Sequence, residues 1–121
     1  MTLSGNYRPK LSDEELDQMI SNQKRMTLTT SAVPSELHSL LFYAQRWGIY
    51  DETLQFELLR RASDEELDNL IKSIKPNYLK ISDWLASPTV DDEHLPNEYI
   101  AFTNLLTAVD AARMILRSRS T

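Results

Sequence analysis

Residues 63–76 read SDEELDNLIKSIKP, and they decide the fold class. Ser63 followed three residues later by Glu66 is a capping box, in which each side chain answers an amide left unpaired at a helix start. Asp64 and Glu65 suit the positive end of the helix dipole. Leu67, Leu70, Ile71 and Ile74 recur at helical spacing, so one face is apolar. Pro76 lacks an amide hydrogen and should end this helix near Lys75, then open another as a first-turn proline.

The same device stands near the N-terminus, where residues 12–17 are identical to residues 63–68. Leu11 and Leu16 are placed as a hydrophobic staple, and Leu16, Met19 and Ile20 continue the apolar period. Between the two copies, Pro34 and Ser35 open a helix with Leu37, Leu40, Leu41, Ala44 and Trp47 on one face. Gly48 is expected to close it in a left-handed cap, and Asp51 to cap the next. With only two glycines, Gly5 and Gly48, phosphate-cradling loops and tight hairpins have almost nothing to be built from.

Together these signals predict an all-α compact bundle of about five to six helices, near 13–24, 35–47, 52–61, 64–75, 77–86 and 97–117. The Thr-rich stretch Met26 to Val33 is the one place where a short extended segment is expected. The order suggests two similar three-helix halves, since residues 51–56 (DETLQF) also resemble residues 97–102 (NEYIAF). The alternative is six helices that need similar caps. On the last helix Phe102, Leu105, Leu106, Val109, Ala112 and Leu116 share a face, and Ile100, Ala108, Ala111, Met114 and Ile115 widen it. A helix apolar over so wide an arc belongs in the middle of a bundle. Leu54 and Leu58 oppose Phe56 and Leu59 in the same manner.

A chain of 121 residues falls in the range of one domain, 1–121, with 1–10 expected as a flexible or extended arm. Hydrophobic residues at 41% and charged residues at 26% give a globular rather than a disordered balance. The absence of cysteine excludes disulfides, thiolate metal sites and a cysteine nucleophile. The first residues lack the basic-then-apolar run of a secretory signal, and no apolar stretch approaches the ~18 residues of a membrane span. A cytoplasmic protein without membrane attachment is the expectation.

Net charge is −5, and an acidic domain repels phosphate backbones, so nucleic acid is not an expected partner and a basic protein is. The charge falls in three blocks: Asp13, Glu14, Glu15 and Asp17; Asp64, Glu65, Glu66 and Asp68; and Asp91, Asp92 and Glu93. The first two answer helix-start amides, which accounts for them without catalysis. Asp91 to His94 lacks the alternating ligands and central glycine of a calcium loop, and no second histidine is spaced to bind a metal with it. The two histidines, His38 and His94, sit in different halves with no recognisable nucleophile motif. No enzymatic activity, metal or cofactor is expected.

Phe42 projects almost opposite the Leu37, Leu41 and Ala44 face, in company with His38 and Arg46. It either fills a second core layer or forms an aromatic-plus-arginine hot spot of the kind found at interface centres. Tyr50, Trp84 and Tyr99 share that ambiguity. Asp110 and Arg113 are spaced to pair along the last helix, either as a buried structural pair or as the polar floor of a small pocket.

In size, acidity, helical character and lack of catalytic motifs the chain resembles small inhibitor proteins such as bacterial immunity proteins and antitoxins. The resemblance is one of character over the whole chain, and it carries no residue roles. It implies a non-enzymatic module that neutralises a cationic partner such as a toxin. The acidic blocks and the Phe42 and Arg46 pair, rather than the resemblance, name the residues expected to dock it: Glu14, Asp17, Phe42, Arg46, Glu65, Asp68, Asp91, Asp92 and Glu93. Two other readings stand beside it: a ligand-binding or enzymatic bundle with a site around Asp110 and Arg113, and a structural subunit that forms a homodimer through its last helix.

Overall fold

The computed structural model describes residues 9–23, 26–88, 90–91 and 93–120. These form an all-α bundle: α1 (Asp13–Asn22), α2 (Leu41–Trp47), α3 (Glu52–Arg61), α4 (Asp64–Ile74), α5 (Tyr78–Leu85) and α6 (Pro96–Arg119). A 3₁₀ segment, Ser35–Leu40, leads directly into α2, and a 3₁₀ turn, Lys75–Asn77, joins α4 to α5. Pro76 therefore sits in the tight turn between two helices rather than in the first turn of the second. The N-terminal arm lies mostly outside the described residues, but its last residue, Lys10, is tied to α3.

Both capping boxes form as the sequence requires. The Ser12 hydroxyl accepts from the Glu15 amide while the Glu15 carboxylate accepts from the Ser12 amide, and Ser63 and Glu66 repeat the exchange. Asp51 caps α3 by accepting from the Leu54 amide at 2.8 Å. Asn97 does not cap α6, because that helix begins one residue earlier, at Pro96. Its side-chain amide and the buried carboxylate of Glu98 turn outward from the helix instead. They hold Thr27 O at 3.0 Å and the Thr29 amide at 2.8 Å. The Met26–Val33 segment is thus clamped to the first turn of α6, and it holds a 3₁₀ turn, Thr30–Ala32, and no strand.

α6 is the central helix, packed against α2, α3, α4 and α5. Ala101, Phe102, Leu105, Ala108, Val109, Ala111, Ala112 and Ile115 are buried along it, as its wide apolar arc demands. By length and composition alone it could cross a membrane, contrary to the expectation that no stretch comes close. Here those side chains face the core formed with Leu40, Ala44, Trp47, Leu59, Leu67, Leu70, Ile74 and Ile81. Asp110 and Arg113 are both exposed and no ion pair joins them, so they are not the buried pair their spacing allowed.

Gly48 corrects another expectation. Its backbone is right-handed, at φ −98° and ψ −10°, so no left-handed cap is formed. The glycine is needed for close approach, because a Cβ there would stand 2.0 Å from the carbonyl oxygen of Ala101 on α6. Two side-chain amides fasten the same crossing. Buried Gln55 donates to Trp47 O at 2.8 Å and to Asn104 O at 2.9 Å, and Asn104 donates to Gly48 O at 3.1 Å and to Tyr50 O at 3.3 Å. The end of α2 and the following turn are thereby fixed in place, and with them Trp47 and Tyr50.

Element order repeats between the halves: a boxed helix, a 3₁₀-led helix, then a third. Length and burial do not. α4 buries Leu67, Leu70 and Ile74, whereas α1, with the same capping serine and first five residues, buries only Leu16.

Candidate functional site

Arg61, at the end of α3, holds the first acidic block. Its guanidinium contacts Asp13 at 2.6 Å, Glu57 at 3.2 Å and the carbonyl of Leu11. α4 starts three residues later, and Arg119 at the end of α6 reaches Asp64 at 2.7 Å and Arg60 O at 2.9 Å. The starts of α1 and α4 and the ends of α3 and α6 therefore meet at one end of the bundle. Each helix start presents carboxylates where its dipole is positive, and each helix end contributes an arginine where its dipole is negative.

Beneath this end lies a buried carboxylate. Glu57 is 1% exposed and accepts from the Lys10 amide at 3.1 Å and the Leu11 amide at 3.2 Å as well as from Arg61. Burial alone would push its carboxyl up, but the two amides and the Arg61 guanidinium outweigh burial and hold it below the ordinary glutamate range. The contact with Asp13, ahead of those with Glu57, holds the Arg61 guanidinium more firmly protonated than usual.

Within the first two blocks, Asp13 and Asp64 are thus paired to arginines, and Glu15 and Glu66 are committed to caps. Asp68 holds Lys72 at 2.8 Å. Glu14, Asp17 and Glu65 are exposed and make no ion pair among the described residues.

Beside it, between α2 and the junction of α3 with α4, opens a cleft of about 500 Å³. Phe42 stands at it 62% exposed, which rules out a second core layer for that ring. Trp47, Tyr50, Leu58 and Ala62 supply apolar and aromatic surface, and Arg46, Arg61 and Glu66 supply charge. Arg46 lies over the Trp47 ring at 4.9 Å and reaches Glu66 at 3.0 Å. The capping amide of Ser63, followed by the Arg46 contact, keeps the Glu66 carboxyl below its usual range. A smaller depression of about 310 Å³ adjoins the cleft through Gln45 and Tyr50, with Ile20, Met26 and Ile49 on its far side.

The third acidic block is elsewhere. Asp91 and Glu93 precede α6, whose 24 residues separate them from the Arg119 end by about 36 Å. The Asp91 carboxylate accepts from the amides of His94 at 2.7 Å and Glu93 at 3.0 Å and contacts His94 Nδ1 at 2.9 Å, a local turn that keeps its pKa low. Asp92 lies outside the described residues. His38 is bound to Val33 O at 2.7 Å and does not line the cleft. Trp84 packs edge-on against Phe102 at 5.1 Å as part of the core margin.

Glu14 and Asp17 thus follow Asp13 on α1, and Glu65 and Asp68 follow Asp64 on α4, at the end of the bundle where those helices start. Phe42 and Arg46 line the cleft, and Asp91 and Glu93 lie apart. Sequence reasoning left Tyr50 open between core and interface and missed Leu58, Arg61 and Glu66 as cleft residues, since each of these has an ordinary local role. Among the described residues no group of three or more His, Asp and Glu side chains could hold a metal ion. No family model matches the chain, and no curated protein or solved structure matches it.

Proposed function

We propose that the chain is a non-enzymatic protein-binding module that docks a cationic partner on the acidic end of its bundle and anchors it at the Phe42 cleft. The observation that carries this reading is the convergence of two identical acidic helix starts beside an exposed phenylalanine in an aromatic cleft. Uncompensated carboxylates raise the encounter rate with a basic surface, and a desolvated aromatic with a neighbouring arginine is the composition of an interface centre. The most concrete form is neutralisation of a toxin, as immunity proteins and antitoxins do. A nuclease toxin must be cationic to hold its substrate, and an acidic inhibitor can cover that surface.

The two parts of the surface separate kinetically. Against a partner obtained by affinity capture, reversing Glu14, Asp17, Glu65 and Asp68 to lysine should slow association at least tenfold and remove its salt dependence. The reason is that rim charges act before contact, over a screening length of about 8 Å at physiological salt. Phe42→Ala should instead speed dissociation, because its contacts exist only after water is expelled. An association rate indifferent to both salt and charge reversal would defeat the proposal.

A further inference from the structure

In the cleft, Arg46 is already oriented. Its guanidinium reaches Glu66 at 3.0 Å and lies over the Trp47 ring, 4.9 Å from the centroid. Trp47 is only 4% exposed, so what the cleft presents at this point is the guanidinium that covers the indole. The Arg46 side chain is 53% exposed, and among the described residues Trp47 is the one ring it covers. One face of the planar group is therefore used and the other is open. The exposed ring of Phe42, with Tyr50 and Leu58, completes the apolar part of the lining.

This lining selects among side chains. A carboxylate entering here would meet Glu66 beside Arg46, whose charge that glutamate already answers. An ammonium or guanidinium would meet Arg46 and Arg61, and would find the lining's one carboxylate, Glu66, engaged by Arg46 and by the Ser63 amide. Neither charge is favoured, so the group that enters is uncharged. An aliphatic side chain suits Leu58 but would cover the open guanidinium face without answering its charge. An aromatic ring has a negative π face, matches a planar cation in shape, and is drawn to it more strongly once water is expelled. We propose that the cleft receives an aromatic side chain of the partner protein, stacked on Arg46 so that the guanidinium lies between that ring and Trp47. The inference rests on the docking function proposed above and names the partner's anchoring group: acidic residues steer a cationic surface in, and an uncharged ring holds it. At about 500 Å³ the cleft is in the range that encloses a small organic ligand, and so has room for one such side chain.

The test titrates the isotope-labelled full chain with short alanine peptides that carry one central tryptophan, leucine, arginine or aspartate, and follows the indole N–H signals of Trp47 and Trp84 by NMR. The tryptophan peptide should shift the Trp47 signal and bind about fivefold more tightly than the leucine peptide, with the arginine and aspartate peptides weaker still. Trp84, packed on Phe102 and outside the cleft, should not move. Arg46→Lys keeps the charge and loses the plane, so it should remove most of the advantage of tryptophan over leucine. Arg113→Lys, on the exposed face of α6, should leave that advantage intact. Equal binding of leucine, preference for arginine or aspartate, or a tryptophan advantage that survives Arg46→Lys overturns the inference. So does adenosine shifting Trp47 as far as the tryptophan peptide does, since the ring received would then be a nucleobase. If no peptide binds while Phe42→Ala still speeds dissociation of a captured protein partner, the docking function stands and the aromatic anchor falls. If Phe42→Ala is silent as well, both fall.

Discussion

At the residue scale, Glu57 and Gly48 show how single positions set the site. Glu57→Gln keeps the shape but removes the charge that two amides and Arg61 share, and hydrogen bonds to a buried charge are the strong ones. The expected cost is about 2 kcal/mol at neutral pH, measured by urea unfolding. The sign of its pH dependence follows from the direction of the shift. A carboxyl held low in the fold contributes stability fully present above the ordinary glutamate value of about 4.3 and lost as pH falls through the lower folded value. The gap between wild type and Glu57→Gln should therefore narrow in melts below about pH 4. A constant gap would mean that the carboxylate is not held by these partners. Gly48→Ala should cost about 3 kcal/mol or more, because its Cβ meets a helix backbone that cannot give way without parting α2 from α6. A variant as stable as wild type would contradict that close approach.

At the element scale, α1 and α4 are a natural comparison. Identical capped starts make both helices nucleate, but only α4 spends its apolar stripe on the core. Ser63→Ala should lower global stability by about 1 kcal/mol and Leu70→Ala by about 2–5 kcal/mol. Ser12→Ala should leave the urea midpoint nearly unchanged and appear as faster amide exchange in residues 13–22. Should Ser12→Ala shift the midpoint as far as Ser63→Ala, α1 would be as integral to the core as α4, against its single buried side chain.

At the scale of the whole molecule, stability is uneven in a way that matches the proposed surface. α6 is surrounded by α2, α3, α4 and α5, so these should open together at the global free energy. α1 hangs on Leu16 and the Glu57–Arg61–Asp13 cluster, so it should open at lower cost, and native-state hydrogen exchange would resolve it as a separate unit. Exchange of α1 at the same free energy as α6 would refute the division. Because α1 forms one wall of the second depression, a partner seated there would have to select the closed state, and binding should slow exchange in α1.

Caps, prolines and apolar period were readable residue by residue because each acts within a few positions of chain. Ser12, Ser63 and Asp51, with the stripes of α2, α4 and α6, therefore placed most helix ends within two residues and named α6 as the centre. Residues 35–40 of the helix expected at 35–47 are instead 3₁₀, and α2 begins at Leu41. The acidic blocks and Phe42 were legible as types, since charge and aromaticity belong to the residue. Which of them share a surface was not, for that depends on contacts made across the chain. Arg61 with Asp13 and Arg119 with Asp64 bring two blocks together, while the length of α6 holds Asp91 and Glu93 away. The same holds for the buried polar groups. Gln55, Glu57 and Glu98 read as surface residues, and only packing shows that each is buried because backbone elsewhere uses its hydrogen bonds: carbonyls of α2 and α6 for Gln55, the irregular segments at Lys10 and Thr29 for Glu57 and Glu98. Local interactions are written in consecutive residues, whereas a site is made of separations in space that only the packed chain defines.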